Sequence, residues 1–152
     1  MHIVLVEPEI PANTGNISRT CAATGITLHL VRPLGFSTDD RQLKRAGLDY
    51  WHLLDLHYHD SFAELQAKYP HGRFFYASTK GRKRYTDFAY RPDDFFVFGK
   101  ETKGLPDELI QANLDTCIRI PIIEGARSLN LSNAVAIVVF EALRQLGFPN
   151  LK

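Results

Sequence analysis

Residues 2–25 read HIVLVEPEIPANTGNISRTCAATG, and a second strand-like run, TLHLV at Thr27–Val31, follows almost at once. His2–Val6 is short, β-branched and apolar without alternation, the pattern of a strand buried on both faces. Pro8 and Pro11 close it. Asn13, Thr14, Gly15 and Asn16 then offer capping chemistry for a helix over 16–23, stopped by Gly25.

The same alternation continues outward from this unit. Asp39-Asp40 can cap a short helix through residue 46, with Gly47 as its stop. Ser61 caps a helix over 62–69 before Pro70. Strands are expected at 73–77, 94–98 and 117–122. A helix over 106–112 has Pro near its start and acids in its first turn. Asn130 or Ser132 caps a last, strongly apolar helix running to about residue 146 and closed by Gly147 and Pro149. Strands separated by helices predict an α/β fold, a mainly parallel sheet with helices on both faces. With no repeat, linker or low-complexity tract, residues 1–152 read as a single domain.

Composition narrows the function classes. Hydrophobic residues make up 45% of the chain and charged residues 23%, enough for a packed core. Lys and Arg number 18 against 17 Asp and Glu, which excludes a uniformly basic nucleic-acid coat but leaves room for a local patch. Cys21 and Cys117 are too few for a disulfide scaffold and read as buried thiols. The N-terminus lacks the pattern of a signal peptide. The apolar stretch 134–140 is far short of the ~20 residues that cross a bilayer, so a cytoplasmic location without membrane attachment is expected. The six histidines lack metal-ligand spacing; His57 and His59 alternate and would share one face of a strand. No metal is expected.

Parallel sheets usually bind ligands in loops beyond the strand carboxyl ends, which directs attention to the loops after Val6, Phe98 and Ile122. The first carries Asn13, Gly15, Asn16 and Arg19. The second, FGKETKGLP at 98–106, contains Gly-x-x-x-x-Gly, but Leu105 and Pro106 stand where a phosphate loop needs Lys and Ser/Thr. Gly-x-Gly-x-x-Gly is also absent. The third, IPIIEGARSLNLSN at 120–133, holds Ser128, Asn130, Ser132 and Asn133, more short hydrogen-bonding side chains than one cap needs. Two basic groups complete the picture. Arg41, Lys44 and Arg45 share a helical face before Tyr50 and Trp51; Lys80, Arg82, Lys83 and Arg84 surround Tyr85. Basic residues interleaved with aromatics suit phosphate contacts and base stacking on unpaired RNA. A solvated charged face is the plain alternative for either group.

Together the three loops resemble the motifs of the SPOUT superfamily of RNA methyltransferases: Asn13-Thr14-Gly15-Asn16 with Arg19, Phe98-Gly99-Lys100-Glu101 with Gly104-Leu105-Pro106, and Ile120-Pro121 with Ser128 to Ala134. Glu7-Pro8-Glu9-Ile10-Pro11, Arg45-Ala46-Gly47-Leu48-Asp49-Tyr50 and Arg144-Gln145-Leu146-Gly147 are similar to the short YibK-like (TrmL) branch. That similarity covers nearly the whole chain. Lys100 departs from the proline often found there. The resemblance implies a deep C-terminal trefoil knot, a homodimer through the first and last helices, and S-adenosylmethionine as cofactor. Its implied substrate is the ribose 2′-hydroxyl of the wobble nucleotide, a cytidine or modified uridine, in leucine tRNAs, bound at the anticodon region.

By resemblance the cofactor lies against Ala77, Ser78, Thr79, Gly99, Glu101, Gly104, Ile120, Ile122, Ser128 and Leu129. Gly99 would let the backbone approach it, and Ile120, Ile122 and Leu129 would wall the adenine. Arg19, Ser128 and Asn130 are the expected catalytic residues, with Arg19 orienting the acceptor and assisting its deprotonation; a guanidinium is ordinarily protonated, which favours the orienting role. Glu101 would also brace the loops. Arg19, Arg41, Lys44, Arg45, Arg82, Lys83 and Arg84 would contact RNA. The competing expectations are 2′-O-methylation at another RNA site, a small-molecule methyltransferase, and a non-catalytic RNA-binding module.

Overall fold

The computed structural model describes residues 1–39, 41, 45 and 48–152, without the side chains of 48 and 49. Its strands are β1 (His2–Val6), β2 (Thr27–Val31), β3 (Leu56–His59), β4 (Phe74–Ala77), β5 (Lys83–Arg84), β6 (Phe95–Phe98) and β7 (Cys117–Arg119). Its longer helices are α1 (Pro11–Thr24), α2 (Phe62–Lys68), α3 (Asp107–Ala112) and α4 (Leu131–Gln145). The strands form one sheet in the order β3-β2-β1-β6-β4-β7-β5, and the named strands pair in parallel throughout.

Alternation along each strand divides the core into two layers. Ile3, Leu5, Phe96 and Phe98 pack with Ile17 and Cys21 of α1 and with Val135, Val138 and Val139 of α4. Val4, Val6, Phe95 and Val97 face the other way, with Leu65 of α2 and Ile110 of α3. Helices therefore cover both faces, which explains the uninterrupted apolar runs of β1 and β6. Both cysteines are free and buried. Burial pushes the Cys21 thiol up to about 12, leaving it an inert apolar filler.

Several boundaries differ from the sequence expectation. Helix α1 begins at Pro11, the position where a missing N–H costs nothing, and its N-cap residue Ile10 makes no side-chain cap bond. Asn13, Thr14 and Gly15 thus lie inside the helix and are buried rather than capping it. Its stop is as expected: Gly25 adopts φ +71°. Strand β7 ends at Arg119, short of residue 122. The edge strand β3 and the two-residue β5 have no expected counterpart; LHYH and KR lack an apolar run. Ser61 and Asn130 cap α2 and α4 through bonds from Glu64 N and from Ser132 N and Asn133 N. The helix expected over 39–46 falls largely outside the described residues; Arg41 and Arg45 are helical and exposed. Among the described residues no helix is long and apolar enough to cross a membrane.

Candidate methyl-transfer site

Strands β6, β4 and β7 are adjacent and parallel, and the chain leaving the carboxyl end of each bounds a cavity of about 620 Å³. Its walls include Ala77, Ser78 and Thr79 after β4, Gly99, Glu101 and Gly104 after β6, and Ile120, Ile122, Ser128 and Leu129 after β7. All ten residues expected around a cofactor therefore meet on one surface. The sequence reading did not include Ala134 and Val138 of α4, which form an apolar side of the same cavity, nor Asn13. Their helical spacing marked the former as core, and Asn13 reads as a cap until its partners are seen.

The loops are tied together by a chain of side-chain bonds. Glu101 accepts the backbone N–H groups of Glu9 and Ile10 at 2.8 and 3.0 Å and the Asn13 amide at 3.4 Å. Asn13 in turn accepts a bond from the Asn130 amide at 3.0 Å. The Asn130 side-chain oxygen Oδ1 accepts from Ser132 N and Asn133 N, so one side chain both caps α4 and reaches α1. Glu9 answers Glu101 by accepting the Thr102 hydroxyl at 2.6 Å. That bond holds the Glu9 carboxyl below its ordinary range. Of the short polar groups in this loop, Asn130 is thus spent on bracing, with the Ser132 hydroxyl donating to it, and both Glu101 oxygens already have partners.

Gly99 has a steric reason within the chain itself. A Cβ there would stand 2.0 Å from the Gly104 carbonyl carbon and 2.2 Å from Leu105 N. The backbone of the turn itself therefore requires a glycine at this point of the cavity wall. Gly104 completes the turn with φ +67°, and Lys100 and Gly104 form a β-bridge across it. Lys100 lies 3.9 Å from Glu7, and Lys80 pairs with Asp107, so two lysines beside the cavity are matched by carboxylates.

Arg19 is not on this wall. It is exposed on α1, its guanidinium carbon 4.7 Å from the centroid of the Tyr50 ring and its Nη2 donating to the Tyr50 hydroxyl at 3.2 Å. Arg82, Lys83 and Arg84 are exposed on or beside β5, at one edge of the sheet. Arg41 and Arg45 lie in the connection from β2 to β3, the strands at the opposite edge. Lys44 lies outside the described residues. Among the described residues no group of three His, Cys, Asp or Glu side chains could hold a metal ion.

The model of the SpoU rRNA Methylase family matches residues 1–140. This chain belongs to that family. An Escherichia coli (strain K12) relative, named tRNA (cytidine(34)-2′-O)-methyltransferase, is 49% identical over 98% of this chain and 96% of its own length. A solved structure concerned with the 2-OH methylation of C/U34 on tRNA superposes with a TM-score of 0.91, at 46% identity over 96% of this chain and 95% of that one. The SpoU methyltransferase AviRb of Streptomyces viridochromogenes, solved with AdoMet, shares the fold at 23% identity, with a TM-score of 0.87 over 96% of this chain and 60% of its own. The family membership agrees with the resemblance read from the three loops.

Proposed function

We propose that this protein transfers a methyl group from S-adenosylmethionine to the ribose 2′-hydroxyl of the wobble nucleotide, position 34, of leucine tRNAs. The observation that carries the reading is the convergence of the loops after β4, β6 and β7 on one cavity in a chain of the SpoU methylase family. The names of its relatives supply position 34.

The cavity suits the donor. Its volume lies within the ~300–1,000 Å³ typical of small-molecule sites. Ile120, Ile122 and Leu129 offer apolar surface for a purine, and the loop backbones around Ala77–Thr79 and Gly99–Gly104 offer polar groups to fix it. When bound there, S-adenosylmethionine supplies an electrophilic methyl carbon on a sulfonium. This chain's residues then have to hold the ribose oxygen in line with that carbon, and positioning of this kind carries much of the rate. Ser128 at the cavity and Arg19 on α1 are the groups assigned to orient the acceptor, with Asn130 fixing the loop that presents Ser128. The exposed Arg41, Arg45, Arg82, Lys83 and Arg84, with Lys44, hold the anticodon stem through its phosphates.

We also assign the molecule a deep C-terminal trefoil knot, with the clasp between Glu101 and the loop after β1 bracing it. A homodimer through α1 and α4 follows from the family reading, and it is favoured by Ile137 and Phe140, large apolar side chains three residues apart that stand exposed on α4 while Val135, Val138 and Val139 face the core. The second copy would bring another set of basic residues to the same RNA. The protein is assigned to the cytoplasm, where tRNA is processed.

The test is methyl transfer from labelled donor to total tRNA, followed by mapping of the modified nucleotide. Label in the 2′-O-methyl of nucleotide 34 of leucine isoacceptors is the expected result. Label at another position, or in other isoacceptors, overturns the corresponding part. Sedimentation of the wild type as a dimer and of Phe140→Glu as a monomer tests the assembly.

A further inference from the structure

We infer that Tyr50 is a positioning residue that holds the Arg19 guanidinium ready for the RNA acceptor; the inference rests on the methyl-transfer reading above. An arginine on the exposed face of a helix samples many rotamers, and about 2 kcal/mol of side-chain entropy opposes fixing it. Here the guanidinium is held twice by one residue. The Tyr50 ring lies under it at 4.7 Å, and the Tyr50 hydroxyl oxygen accepts one of its N–H groups at 3.2 Å. A guanidinium has five N–H donors, so four remain to meet a phosphate or ribose oxygen.

The backbone around Tyr50 is suited to this task. Tyr50 belongs to a 3₁₀ turn, Leu48–Leu53, closed by Leu54 N donating to Trp51 O at 3.1 Å. Tyr50 itself is half-buried, and Arg19 is exposed. The aromatic is thus the fixed partner and the cation the one presented to solvent. Arg19 follows Asn13 by six residues, about 9 Å along the helix axis. Asn13 lies on the cavity wall and is tied to Glu101 and Asn130. Helix α1 therefore connects the braced cavity to the Arg19–Tyr50 pair as one rigid element. A flexible arginine at this distance would lose that registration; a stacked one keeps it.

The experiment compares Tyr50→Ala, Tyr50→Phe, Arg19→Gln and the Tyr50→Ala/Arg19→Gln pair with the wild type. Single-turnover rates at saturating tRNA and donor are measured, with donor affinity by calorimetry. Tyr50→Ala should lower the rate about tenfold, within the range of a lost cation–π contact plus a hydrogen bond, and leave donor affinity unchanged. Tyr50→Phe, which keeps the ring, should stay within about threefold. In the Arg19→Gln background Tyr50→Ala should add less than about twofold, because the two residues act as a unit. A wild-type rate in Tyr50→Ala overturns the inference, as does the same loss with or without Arg19. The Arg19 Nε–Hε resonance gives a readout apart from activity: it should move in Tyr50→Ala and hold in Tyr50→Phe, and an unmoved signal in Tyr50→Ala overturns the pairing. Failure of the wild type to methylate tRNA strikes the functional reading itself, whereas an active wild type without coupling strikes only the role of Tyr50.

Discussion

Glu101, Asn13 and Asn130 pass hydrogen bonds between the segments that follow β6, β1 and β7 at the cavity edge, while His2, His29 and His59 form a file of rings across β1, β2 and β3, the strands on the other side of the sheet. In the first region every role is fixed by chemistry: a carboxylate accepts, an amide N–H donates, an amide oxygen accepts. In the second, His2 Nδ1 meets His29 Nε2 at 3.0 Å and His29 Nδ1 meets His59 Nε2 at 2.9 Å. Which nitrogen donates depends on the tautomers. The file ends at His59 Nδ1, which is buried without a hydrogen-bond partner, 4.0 Å from Glu64. Burial pushes His29 down to about 3 and His2 to about 4, and lowers His59 as well. Asp55 beside His57 pulls the other way, and Lys68 and Arg32 add to the lowering at His59. The contrast teaches that buried polarity near the cavity serves position, whereas the histidine file is tolerated only while its rings are neutral.

The largest effect should come from breaking the cavity edge at its tightest point. Gly99→Val must displace the backbone of Gly104 and Leu105, and donor affinity should fall by at least about 100-fold, as read by calorimetry. Glu101→Ala frees the Glu9 and Ile10 amides and the Asn13 side chain together. It should cost roughly 2–4 kcal/mol in urea unfolding, with Glu101→Gln intermediate because one oxygen remains.

The histidine file gives the next effect, and its sign follows from the lowered values. Between about pH 6.5 and pH 4 the unfolded chain binds more protons than the folded one. Stability should therefore be fully present above pH 6.5 and be lost progressively as pH falls toward 4. His59→Leu leaves His29 Nδ1 without its partner and should cost about 1–2 kcal/mol at pH 8. The gap to wild type should shrink at pH 5, since one buried base fewer must titrate. A gap that widens on acidification contradicts the file's neutrality. The smallest effect on the fold belongs to Lys83→Glu on the exposed edge strand. Stability should change by no more than about 0.5 kcal/mol, while the slope of log affinity for tRNA against log salt should become shallower by about one.

The apolar strands were legible because β1, β2 and β6 are buried on both faces and carry no alternation to confuse them. The stops at Gly25 and Gly147 were legible because each adopts positive φ. Strand β3 was not, because an edge strand can keep polar residues such as His57 and still pair on one side. The residues after β4, β6 and β7 were expected together by resemblance to a family, and the structure brings them to the wall of one cavity. What the sequence could not disclose was division of labour. Asn13 read as a cap and is a strut; Gly99, read as room for a ligand, also makes room for Gly104. Arg19 read as a group orienting the acceptor, and its hold on Tyr50 is a contact between residues 31 apart in the chain that no local pattern encodes.

The most direct test of the central claim is a crystal structure with S-adenosylmethionine or its demethylated product bound. Density for the adenosyl group between the loops at Gly99–Gly104 and Ile120–Leu129, with the sulfur open toward solvent where a ribose can approach, is the predicted result. Density lodged elsewhere on the molecule, with those loops closed and empty at saturating ligand, would contradict it.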